Sequence, residues 1–246
     1  MTTVALSGAW LFARYAYAPN LLGYCGPGDT GLLTHMMEET APPLGELASV
    51  AGQFDGAYPY LELIAAATAR HPLDQRVVEA YWTGNRLLHE VDLLLWGNSV
   101  DDRFRRRSAG DWDAVKRAIL FGGLPTHAFH VFCVYPWVGL LQTGSVGPAL
   151  DVIDRCRISW GVVARVSGGE AIVRSRRLRW VDEQLVRGTA SHDRFRLPAG
   201  LDRLAAGDVV SLHWDTVCER LTPERTTALR RYHDWHLSLA NGVLRT

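Results

Sequence analysis

Ile158-Ser159-Trp160-Gly161-Val162-Val163-Ala164-Arg165-Val166-Ser167-Gly168-Gly169-Glu170-Ala171-Ile172-Val173 is where the chain changes character. The run is β-branched and apolar as far as Val166. Ser167-Gly168-Gly169 then reads as a hairpin turn, because glycine takes positive φ at little cost. Ala171 to Val173 and Leu178 to Val186 continue as strands, with Trp180 and Val181 set between charges. Gly207-Asp208 is a turn, and Val209 to Trp214 is another strand. Thr222-Pro223-Glu224 starts a helix: a hydroxyl cap, a proline at the first position and an acid facing the dipole. That helix is expected to run to about Ala240 and stop near Asn241-Gly242.

Upstream of Gly144-Ser145-Val146-Gly147-Pro148 the pattern is helical. Ala5 to Tyr17 is apolar and is expected to end before Pro19. Asp29 can cap a helix through Glu39. Leu44 to Phe54 and Pro59 to Ala69 follow the 3.6-residue period. Asp74 caps another, with Val77, Val78, Tyr81 and Trp82 on its inner side and Gly84 as an interruption. Asp111 starts one more, running to Phe121. The expectation is an α+β chain: a mainly helical domain over residues 1–150, then a small OB-like β-barrel with a C-terminal helix over 151–246.

Composition narrows the function classes. Lys plus Arg and Asp plus Glu are 26 each, so the chain lacks the footprint of a general nucleic-acid binder. The clusters Arg103, Arg105, Arg106, Arg107 and Arg174, Arg176, Arg177, Arg179 read as solvated faces and partner contacts. Arg14 interrupts the apolar N-terminal run and no basic region precedes it, which argues against a signal peptide. Runs such as Val131 to Leu141 are too short to span a bilayer. A cytoplasmic location with no membrane contact is expected. The scattered cysteines 25, 133, 156 and 218 then read as free thiols or metal ligands.

Three constellations could carry chemistry. Cys156 opens the β region and His213 ends a strand; a thiolate and an imidazole suit a soft or borderline metal such as iron. His127, His130 and Cys133 lie three apart, on one face if helical, which suits a metal or haem; as a strand His130 would point away. Cys25 sits in a Gly/Pro-shaped loop before a helix, where backbone amides could bind an anion and lower its pKa. His233 and His236 are expected on a partly exposed helix face, and Glu62 and Glu79 in apolar helices could be buried acids.

The pattern around Cys156 and His213 resembles the HypC/HupF family of nickel–iron hydrogenase maturation chaperones. Cys156 and Gly161 keep that family's spacing, the Gly168 to Val173 hairpin follows in order, and Gly207-Asp208-Val209 with His213 fits its second motif. The resemblance covers residues 154–235. It implies an OB-like barrel whose Cys156 and His213 hold iron carrying cyanide and carbon monoxide, passed to a hydrogenase large subunit or a maturation factor. Here Cys156 is internal, whereas that family's cysteine becomes N-terminal. The N-terminal half looks like an uncharacterised actinobacterial family, through Phe12-Ala13-Arg14-Tyr15, Gly23-Tyr24-Cys25-Gly26-Pro27 and Ala128-Phe129-His130-Val131-Phe132, and this supplies no mechanism.

The leading expectation is therefore an iron-handling maturation or scaffold protein that docks a protein partner, with His127, His130, Cys133 or Cys25 completing the site. The alternative is an enzyme whose helical half binds a small organic substrate, with a metal or, as the lesser option, haem on the His127/His130 segment. Trp10, Tyr15, Tyr24, Tyr58, Tyr60, Tyr81 and Trp82 would line its pocket.

Overall fold

A computed structural model describes residues 3–31, 33–34, 44–105, 112–135, 137–142, 144, 146–201 and 203–244. The helical part comprises α1 Thr3–Leu21, α2 Leu44–Ala51, α3 Tyr58–Ala67, α4 Gln75–Trp82, a 3-10 turn Arg86–Glu90, α5 Leu93–Phe104, α6 Trp112–Leu120 and α7 His127–Phe129. A π-helical turn His130–Val134 continues α7, and α8 Trp137–Gln142 and α9 Val146–Cys156 lead to the strands. Caps set several starts. Asp74 accepts from Arg76 N, Asp92 from Leu94 N and Leu95 N, and Thr126 Oγ1 from Phe129 N.

α1 does not stop before Pro19. It runs two residues further to Leu21, because a proline near a helix end costs only local hydrogen bonding. The extension places Asn20, 1% exposed, where its side-chain amide donates to the carbonyls of Cys25 and Pro27 at 2.9 and 2.8 Å. The helix expected from Asp29 to Glu39 lies largely outside the described residues, and so does Asp111.

The strands are β1 Ser159–Ser167, β2 Glu170–Val181, β3 Gln184–Arg196, β4 Val209–His213 and β5 Thr216–Arg220; α10 Pro223–Leu244 closes the chain. They close into a ring in the order β1-β2-β3-β5-β4. The β1–β2 and β2–β3 pairs are antiparallel, and β3 meets β5 in a short parallel pairing at Arg196 and Thr216. The run Leu178 to Val186, expected as one strand, turns at Asp182-Glu183, where both residues have positive φ and form a tight hairpin. A second such pair, Trp214-Asp215, turns β4 into β5 straight after His213.

Val163, Val173, Phe195, Val210, Leu212 and Val217 fill the ring. A larger core joins both parts of the chain: Phe12, Tyr15, Leu61, Val78 and Phe129 pack in one cluster with Ile158, Cys218, Leu221, Leu229 and Tyr232. The ring is thus seated against α1 and the helices by apolar burial, worth about 25 cal/mol per Å². Among the described residues no helix is long and apolar enough to cross a membrane.

Candidate metal centre

Three elements end at one point. His127 is the first residue of α7, Cys156 the last of α9 and His213 the last of β4. Their candidate ligand atoms all lie within 4.8 Å of one another, and all three residues are buried. The His127 and His213 ring centroids are 5.1 Å apart, and Trp82 packs on both, at 4.7 and 5.7 Å. Ligands on a tetrahedral ion stand roughly 3.3–3.8 Å apart, given bonds of about 2.0–2.3 Å. The widest pair would have to close by up to about 1–1.5 Å to hold one.

The hydrogen bonds show which atoms are available. His213 Nδ1–H donates to the Tyr15 carbonyl at 2.7 Å. This fixes the neutral tautomer and leaves Nε2, which is buried and has no hydrogen-bond partner, with its lone pair facing inward. His127 Nε2 lies 2.8 Å from the Cys156 carbonyl and 3.9 Å from its Sγ, and Nδ1 lies 3.2 Å from the Tyr81 hydroxyl. A hydroxyl donates or accepts equally well. Tyr81 therefore serves either His127 tautomer, including the one that frees Nε2 for a ligand.

Burial sets the protonation states. Desolvation lowers His127 to about 4, although its bond to the Cys156 carbonyl pulls upward, and it holds His213 well below the usual histidine range. Burial pushes the Cys156 thiol far up, with the Cys25 sulfur adding to this and Trp214 opposing it. At neutral pH the centre is two neutral imidazoles and a thiol whose proton a cation would replace.

The centre opens onto a cavity of about 310 Å³ walled by Phe54, Trp82, Tyr135, Trp137 and Trp214, with Cys25 at its edge. Tyr24 covers Trp214, their ring centroids 4.1 Å apart. The sequence family DUF6390, a family of unknown function, matches residues 4–246. The chain belongs to DUF6390. No curated protein and no solved structure matches it.

In this DUF6390 chain the sequence-derived candidates separate. His127 joins Cys156 and His213, but His130 and Cys133 do not: His130 follows in ordinary helical backbone, lines the same cavity and turns its ring to Tyr60, while the π-turn His130–Val134 alters the spacing from His130 to Cys133. His130 Nδ1 bonds the Tyr60 hydroxyl at 2.7 Å, its ring stacks edge-on to Tyr135 at 4.3 Å, and burial lowers it to about 3. Cys133 packs between two apolar clusters. Cys25 reaches the cavity, but burial drives its pKa up to about 12, the reverse of the expected lowering: its loop directs carbonyls to Asn20, and its thiol faces apolar walls.

His233 and His236 are not on an exposed face; both are 0% exposed. His233 accepts from Arg157 Nη1 at 3.1 Å, and His236 accepts from Leu124 N at 3.1 Å, so α10 uses them to bind the rest of the chain. Glu79 lies 3.8 Å from Arg225. Of the aromatics expected in a pocket, Tyr24, Tyr81 and Trp82 line the cavity. Trp137 and Trp214 were not foreseen. Trp214 directly follows the candidate ligand His213, and that adjacency was the available signal.

Proposed function

We propose that this DUF6390 protein carries iron as a cargo, bound by Cys156, His213 and His127, and delivers it to a protein partner. The observation carrying this reading is the buried His127–Cys156–His213 cluster with the inward, unpartnered Nε2 of His213. One thiolate with two imidazoles suits a borderline ion such as ferrous iron. We read the five-stranded ring as an OB-like barrel of the kind the Cys156/His213 resemblance implies, with the helical part as the docking element. The adjoining cavity leaves room for additional ligands such as cyanide and carbon monoxide. The partner would be a hydrogenase large subunit or maturation factor.

The test is iron content with infrared and ultraviolet–visible spectra of anaerobically purified protein, beside Cys156→Ala and His213→Ala. Iron with cyanide or carbonyl stretches that vanish in both variants supports the reading. Iron retained in Cys156→Ala defeats it.

The 310 Å³ cavity favours a second reading, an enzyme acting on a small organic molecule, since this volume lies in the range of small-molecule sites. In that case a bound ligand or chromophore should survive Cys156→Ala and be lost in His130→Ala.

A further inference from the structure

A second cavity of about 310 Å³ lies against strands β1, β2 and β3 and shares no lining residue with the cavity beside the metal centre. It is lined by Arg157, Arg174, Arg176, Arg187 and Arg230 around Trp160, and no carboxylate lines it. Arg174 and Arg176 share this wall because side chains two apart on a strand point the same way.

The charges there are only partly compensated. Arg157 is 2% exposed and fixed, with Nε and Nη2 donating to Asp154 at 3.0 and 2.7 Å and Nη2 also to the Arg176 carbonyl at 2.7 Å. Arg187 pairs with Asp234 at 3.2 Å. Among the described residues Arg174, Arg176 and Arg230 form no ion pair, although Arg176 Nη1 donates to the Gly188 carbonyl at 2.8 Å. Arg187 and Arg230 also crowd over one indole, 5.0 and 5.8 Å from the Trp160 centroid. In a chain of zero net charge, three uncompensated guanidiniums converging on one concave site form a strongly positive focus.

Guanidinium forks match the oxygens of phosphate in bidentate pairs, and several forks around one pocket suit an anion of two or more charges. The volume limits the ligand to a small molecule. We propose that this cleft binds a small phosphorylated anion, with Arg174, Arg176 and Arg230 as its direct contacts and Arg157 as a rigid floor. The proposal is independent of the iron reading.

Isothermal titration of the full chain with pyrophosphate and with ATP tests it, using wild type, Arg174→Ala/Arg230→Ala, and Arg194→Ala as a control. Arg194 is exposed, pairs with Glu170 and lies outside the cleft. The expected result is saturable binding of at least one probe, weakened at least tenfold in the double variant, unchanged in the control and reduced by added salt. The proposal is overturned if neither probe binds saturably, or if the double variant binds as wild type does. It is also overturned if polyglutamate binds more tightly than either probe through the same arginines, which would make the cleft a docking surface for an acidic protein segment.

Discussion

Tyr15 accepts a hydrogen bond from His213 through its backbone and, through its side chain, joins a charged network on the neighbouring strand β5. Its carbonyl lies 2.7 Å from His213 Nδ1, while its hydroxyl donates to Glu219 and lies 2.8 Å from Ser211 Oγ. Arg225 at the start of α10 donates to the same carboxylate, with Nη2 at 2.6 Å from Oε1. One residue of α1 thus fixes the tautomer of a candidate ligand on β4 and ties α1 to β5 and α10. The candidate centre depends on the helical part for His127 and also for the orientation of His213.

Removing only the hydroxyl should separate these two duties. Tyr15→Phe leaves the carbonyl on His213 and deprives buried Glu219 of a donor, which costs about 1–3 kcal/mol. Urea unfolding should show a lower midpoint, while iron per chain in anaerobic preparations stays at the wild-type level. Loss of iron in this variant would mean that the hydroxyl network, rather than the carbonyl, orients His213.

The overall order of the fold was legible where local chemistry is unambiguous. The Gly168-Gly169 turn, the Asp74 cap and the Thr222-Pro223-Glu224 helix start fall where the residues dictate. β3 was only partly legible: Gln184 to Arg196 is exposed on both faces over most of its length, so no two-residue apolar alternation marks it. Cys156 and His213 are paired through the motif resemblance, whereas His127 joins them only through tertiary packing, its Nε2 meeting the Cys156 carbonyl at 2.8 Å. His130, three residues on in helical backbone, bonds Tyr60 instead, an outcome of tertiary packing that no local sequence feature marks.

Acid should destabilise the protein through its buried histidines. Burial lowers His233 to about 4 and His236 to about 3, against 6.5 for the free side chain. Below pH 6.5 the unfolded chain takes up protons that the folded chain refuses, so stability is full above that pH and falls as pH drops towards about 4. Each such group contributes up to about 1.4 kcal/mol per pH unit across this window. Denaturant midpoints measured through it should fall with decreasing pH, and His236→Gln should flatten that limb.

Gly84, two residues beyond α4, packs directly against Tyr232 of α10. Its φ is +82°, and a Cβ there would sit 2.0 Å from Cδ2 of Tyr232, whose hydroxyl donates to the Asn85 carbonyl at 3.0 Å. Gly84→Ala should therefore cost about 1–3 kcal/mol from overpacking, with backbone strain in addition. Thermal unfolding should show it. In a double-mutant cycle with Tyr232→Ala the two losses should be clearly less than additive, because the second change removes the ring that clashes. Strict additivity would refute this contact as the cause.

The thiols supply a prediction that links burial to metal uptake. All four cysteines are free, and desolvation raises every one of them, Cys25 to about 12. The thiolate is the reactive form, so a thiol reagent at neutral pH should label the folded protein very slowly and label all four sites after unfolding. A cation bound at Cys156 must displace that raised proton. Ferrous iron affinity should then rise about tenfold per pH unit, with about one proton released per ion, while both histidines are already neutral and add no proton of their own. Cys156→Ala should abolish both the proton release and the tight binding. Tight iron binding in the wild type with no pH dependence would place the ion away from this sulfur.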